Sequence, residues 1–105
     1  MIKVEIDFEG KNLTGLKVKG HANSGPYGKD MVCAAVTIML TGAANALENE
    51  AENFDITLEE GNASFQPLGP ISEHDQTVLE TLIIQLKTLE VSPVTKGTLT
   101  IKERK

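Results

Sequence analysis

Cysteine is nearly missing: one among 105 residues, beside two histidines and no tryptophan. A lone cysteine closes no intramolecular disulfide, so a disulfide-stapled scaffold is excluded and the thiol is either buried and inert or reactive. Cys33 with His21 and His74 makes none of the zinc spacings, so neither a metal nor another cofactor is expected. Also lacking is any long apolar run. The N-terminus alternates, Met1-Ile2-Lys3-Val4-Glu5-Ile6-Asp7, which is neither a signal peptide nor a transit helix, and the cytoplasm is the default expectation with no membrane partner. Basic residues are in deficit, 10 Lys and Arg against 15 Asp and Glu, for a net charge of -5. That balance opposes sequence-independent binding to phosphate backbones, so direct nucleic-acid binding is not expected and partners with basic segments fit better.

What is present suits one soluble globular domain over residues 1–105, with 40% apolar and 24% charged residues. Ile2, Val4, Ile6 and Phe8 alternate with charged residues as in a half-buried strand, and Gly10-Lys11-Asn12 supplies a turn. Leu13, Leu16 and Val18 mark a second, antiparallel strand ending at Gly20. Asn23 to Gly28 is dense in turn formers and reads as an exposed loop. Val32, Val36, Leu40, Ala43 and Leu47 recur at helical spacing, and Asp30 is a good N-cap, which predicts a helix from about Asp30 to Leu47 or a turn beyond. Phe54 to Leu58 and Ala63 to Phe65 predict a hairpin. Ser72 with Asp75 resembles a capping box ahead of the stripe Val78, Leu79, Leu82, Ile83, Leu86 and Leu89, which Pro93 stops. Thr98 to Ile101 reads as a last strand before a basic tail, Lys102 to Lys105. The order ββαββαβ predicts an α+β fold with two helices on one side of a mostly antiparallel sheet.

With Asp30 as N-cap, Cys33 is expected at the third helical position, where unpaired N–H groups and the positive end of the helix dipole favour thiolate and offer an oxyanion site. His21, at the end of the second strand, is a candidate base. Thr37 lies one turn after Cys33, and its hydroxyl either sits beside the sulfur or, the favoured reading, bonds back to the preceding turn. Residue types alone favour a blander reading, in which a cysteine between Val32 and Ala34 is a small buried hydrophobe. Lys17, Lys19 and Lys29 read as solvated charges, and His74 as a surface residue. Gly25-Pro26-Tyr27-Gly28 fits the GxxG pattern of KH domains, but that loop joins two helices and this one follows a strand.

The run Gly20-His21-Ala22, six loop residues, then Lys29-Asp30-Met31-Val32-Cys33-Ala34-Ala35-Val36 resembles the ribosomal-processing cysteine proteases of Firmicutes and related bacteria. In that family Gly-His-Ala precedes Gly-x-Asp-x-Val-Cys-Ala-Ala-Val, matched here by Gly28, Asp30, Val32, Cys33, Ala34, Ala35 and Val36. The resemblance implies a Cys-His endopeptidase that removes the N-terminal extension of large-subunit ribosomal protein twenty-seven, cutting after two phenylalanines. It maps Cys33 to the nucleophile and His21 to the base. It also implies a homodimer and a mobile substrate loop, here Ser24, Gly25, Pro26, Tyr27 and Gly28. Asp30 is left as an orienting or capping residue. The family commonly has Ser where this chain has Thr37, which keeps a hydroxyl and adds a methyl. A competing class is a noncatalytic module that grips a ribosomal protein or RNA during assembly.

Overall fold

A computed structural model describes the backbone of residues 1–20 and 28–105 and the side chains of residues 1–20 and 31–105. The elements are β1 (Ile2–Glu9), β2 (Asn12–Lys19), α1 (Gly28–Ala46), α2 (Glu50–Asn53), β3 (Phe54–Glu59), β4 (Asn62–Pro67), α3 (Glu73–Val91) and β5 (Leu99–Arg104). The strands form one sheet in the order β3-β4-β2-β1-β5, in which only β1 and β5 pair in parallel. The α+β fold and the ββαββαβ order therefore stand, with α2 as a one-turn addition. Its four residues carry no apolar period to give it away.

Alternation sets the faces of the sheet. Ile2, Val4, Ile6, Leu16, Val18, Phe54, Ala63, Phe65 and Leu99 are buried on one side, while Lys3, Lys17, Lys19, Asp55 and Gln66 stay exposed on the other. The pairing of β1 with β2 slips after Asp7, so that Asp7 opposes Gly15 and Phe8 opposes Leu13. Thr14 is the extra residue of this bulge, and the slip returns Leu13 to the buried side after Leu16 and Val18. Helix α1 covers the buried face with Val32, Val36, Leu40, Ala43 and Ala44, and α3 with Leu79, Leu82, Ile83 and Leu86. Each apolar side chain removed from water here contributes on the order of 1.5–3 kcal/mol before conformational entropy is counted.

The expected start of α1 is corrected. The helix begins at Gly28 rather than after Asp30, so Asp30 lies within the first turn and is not its N-cap. Asp is favourable throughout a first turn because the dipole acts there, and that signal alone does not mark the boundary residue. The basic tail is corrected as well, since β5 runs to Arg104. Arg104 donates from Nε to Asp7 at 2.6 Å and from Nη2 to Glu5 at 2.9 Å, and Lys87 Nζ lies 2.7 Å from Glu103. The Lys87 bond holds the Glu103 carboxyl below its ordinary pKa, and the acids of β1 raise that of Arg104.

The N-terminus of α3 fastens the far end of α1. Ser72 is the N-cap and its hydroxyl accepts from the Asp75 N–H, as expected, but the Asp75 carboxylate turns elsewhere. It is buried and accepts from the Glu48 N–H at 2.9 Å. His74, half-exposed as read, bonds through Nε2 to the Ala46 carbonyl at 2.9 Å, and this bond, aided by Glu48 and Asp75, raises its pKa. The last turn of α1 has no basic residue of its own, so α3 supplies the partner for its C-terminal carbonyls.

Candidate active site

Cys33 lies in the second turn of α1, half-buried and packed against the core. The earlier start of the helix moves it away from the N–H groups that lack intrahelical acceptors, which belong to the first turn. Its own N–H is therefore not the oxyanion donor that the later start had implied. Its neighbours alternate as the helix dictates: Val32 and Val36 face the sheet, while Ala34 and Thr37 are exposed. The Thr37 hydroxyl donates to the Cys33 carbonyl at 2.8 Å, the backbone-bonded alternative that the spacing favoured.

The thiol residue opens onto a cavity of about 240 Å³. One wall is α1 with Cys33, Ala34 and Thr37, the floor is apolar with Ile2, Val18 and Ala63, and the opposite wall is the β3–β4 turn from Glu59 to Asn62. Backbone contacts hold this shape. Gly20, on the cavity margin at the end of β2, donates its N–H to the Gly61 carbonyl at 3.0 Å and adopts φ +100. A Cβ at Gly20 would stand 2.5 Å from the Met1 carbonyl oxygen, so both the backbone angle and the close approach require glycine. A cavity with an apolar floor beside a thiol suits an extended peptide with a bulky side chain.

The structure thus brings Cys33 and Thr37 together, sets the motif residue Gly20 on the margin of their cavity, and adds the β3–β4 turn, which sequence reasoning had taken as a turn without a function. The signal was present in Gly20 and Gly61, but the pairing of β2 with β4 that joins them is long-range. His21 and the loop residues Ser24, Gly25, Pro26 and Tyr27 lie outside the described residues, as do the side chains of Lys29 and Asp30, and Gly28 is the first residue of α1. No group of three metal-ligating side chains is found among the described residues.

Comparison with known proteins decides the family. The profile of the family described as Cysteine protease Prp matches residues 1–94. The chain belongs to the cysteine protease Prp family. The ribosomal processing cysteine protease Prp of Staphylococcus aureus is 32% identical over 92 residues, covering 85% of this chain and 86% of the relative. The Prp of Bacillus subtilis is 33% identical over 87 residues, covering 76% and 78%. In three dimensions the S. aureus Prp with a covalently linked product peptide superposes with a TM-score of 0.84 at 27% identity, over 99% of this chain and 100% of that one. A second structure of S. aureus Prp, holding a substrate peptide, gives 0.82 at 25% identity, over 99% and 100%. Among Prp proteins, then, this chain keeps the whole fold, and its cysteine opens onto a cleft. No helix among the described residues is long and apolar enough to cross a membrane.

Proposed function

We propose that the chain is a cysteine endopeptidase of ribosome assembly that removes the N-terminal extension of large-subunit ribosomal protein twenty-seven by cutting after Phe-Phe. It acts in the cytoplasm as a homodimer of single-domain chains. The observation that carries this reading is the position of Cys33, half-buried on α1 and open to a cavity with an apolar floor, in a member of a cysteine protease family. The substrate and the dimer follow the family resemblance, and the relatives' own ribosomal processing and peptide complexes support a peptide substrate.

Cys33 is the nucleophile and His21 the general base. The Cys33 thiolate attacks the scissile carbonyl and forms a C–S bond, and the C–N bond breaks as His21 gives its proton to the leaving amine. Water then attacks the thioester while His21 takes its proton, and the C–S bond breaks to release the carboxylate and restore the thiolate. Residues Ser24 to Gly28 contact the extended peptide, and Asp30 orients the base.

The test is cleavage of a synthetic peptide spanning the Phe-Phe junction, read by mass. Cys33→Ala is expected to lower the rate at least about a thousandfold, with an unchanged circular dichroism spectrum, and His21→Ala to lower it as well. Cleavage by Cys33→Ala at the wild-type rate would overturn the assignment.

A further inference from the structure

The net charge hides how the charges are arranged. Every Lys and Arg lies before residue 30 or after residue 86, and most of the Asp and Glu fall between. The strand order β3-β4-β2-β1-β5 then sets the two basic ends of the chain side by side, because β1 and β2 come from one end and β5 from the other. On the side of the sheet that the helices leave open, the register lines up Thr100, Lys3, Lys19 and Asn62 in one row, and Lys102, Glu5, Lys17 and Ser64 in the next. All four lysines are exposed.

Glu5, the acid within these rows, is already engaged. Arg104 donates to Glu5 and to Asp7, so one guanidinium answers both carboxylates that β1 turns to this side. Among the described residues Lys3, Lys17, Lys19 and Lys102 make no ion pair or side-chain hydrogen bond. Lys3 and Lys19 stand directly opposite one another, an arrangement that costs stability. Beyond Asn62 acid returns at Glu59 on the edge strand β3, which bounds the patch.

We propose that this open face of the sheet holds the phosphate backbone of RNA, with contacts from Lys3, Lys17, Lys19 and Lys102. The surface chemistry selects the occupant. By alternation the outward positions of the five strands carry no aliphatic or aromatic side chain, and the lysines have Thr100, Asn62 and Ser64 as neighbours. A protein partner would need an apolar centre to its interface, and base recognition on a sheet would need aromatic rings for stacking. Phosphate oxygens need only ammonium groups and small polar donors. The total of -5 does not forbid this, since charges more than about 8 Å away are largely screened at physiological salt. RNA rather than DNA rests on the proposed work in ribosome assembly, while the phosphate track itself does not depend on cleavage.

The experiment is fluorescence anisotropy of a labelled oligouridylate of about 12 nucleotides with the full chain, repeated at several salt concentrations. Four phosphate contacts predict a slope of log K against log salt of about -3. Lys19→Glu is expected to weaken binding at least about tenfold and to make that slope shallower by about 0.7 or more. Its urea midpoint is expected to be no lower than that of wild type, because the new carboxylate opposes Lys3. Lys11→Glu makes the same charge change in the turn at the far end of the β1–β2 hairpin, and this control is expected to alter binding less than about threefold. A wild type that fails to bind at about 50 mM salt, or equal losses in Lys19→Glu and Lys11→Glu, overturns the proposal. So does an oligoglutamate of equal charge that binds more tightly than the RNA, which gives the face to an acidic protein, or an oligodeoxythymidylate that binds at least about tenfold more tightly. Cleavage plays no part in this readout, so failure here leaves the protease reading standing, and failure of that reading leaves the binding result intact.

Discussion

Helix α1 borders two concave surfaces, and they are held open in different ways. Around Cys33 the walls are fixed by backbone: the Gly20 N–H on the Gly61 carbonyl, and the Met1 carbonyl against the Cα of Gly20. Along the groove between α1 and α3 the walls are side chains, and Gly42 has open space where a side chain would go. Two glycines thus do opposite things. Gly20 is demanded by the fold of its own chain, and Gly42 is not. The contrast shows how a glycine can be assigned a role without comparing sequences: by asking what its missing Cβ would touch and which φ it holds.

Three substitutions put that contrast to the test. The largest effect is expected from Gly20→Ala, which must relieve a 2.5 Å contact with the Met1 oxygen at φ +100. A loss of about 2–3 kcal/mol in urea unfolding is expected, together with reduced peptide cleavage, because the displaced backbone lines the cavity of Cys33. Gly42→Ala should do the reverse and raise stability by about 0.5–1 kcal/mol in dilute solution. Equal losses at both positions would erase the distinction. Smaller still is Thr37→Val. Its hydroxyl bonds only a carbonyl within the helix among the described contacts, so stability should hold within about 0.5 kcal/mol and cleavage within about threefold.

The far end of α1 gives a test by pH. The hydrogen bond to the Ala46 carbonyl raises the pKa of His74 above its ordinary value. A group raised on folding contributes fully below its unfolded pKa, and the contribution fades as pH rises through the folded value. Wild type should therefore exceed His74→Gln in urea midpoint at about pH 5 and lose that advantage by about pH 9. A difference that grows with pH would contradict the assignment.

Most of the fold was legible because its elements carry clean periods: β1 alternates without a break, and α1 and α3 bury residues spaced by three and four. Harder features failed for physical reasons. The start of α1 was misplaced because Asp30 is favourable both as a cap and within a first turn. The length of β5 was missed because Lys102, Glu103 and Arg104 put charge on both faces of an edge strand, where pairing with β1 and ion pairs, not burial, keep the strand. Half of the Ser72 and Asp75 box was misread, since the buried carboxylate answers an N–H that lies 27 residues away in sequence. At the candidate site, the bond from Thr37 to the Cys33 carbonyl followed from local spacing, whereas Cys33 itself was singled out by the motif around it. The cavity did not, because its opposite wall comes from a hairpin that reaches it only through the order of strands in the sheet.

The parallel pairing of β1 with β5 also bears on the sequence of assembly. Ile2 faces Leu99 and Asp7 faces Arg104, so these two neighbours in the sheet come from opposite ends of the chain. The residues around the Cys33 cavity run from Ile2 to Ala63 and precede β5 altogether. On a growing chain the cleft can close while one side of β1 still lacks its neighbour, and the final strand, whose pairing with β1 spans the greatest sequence separation in the sheet, completes the edge last.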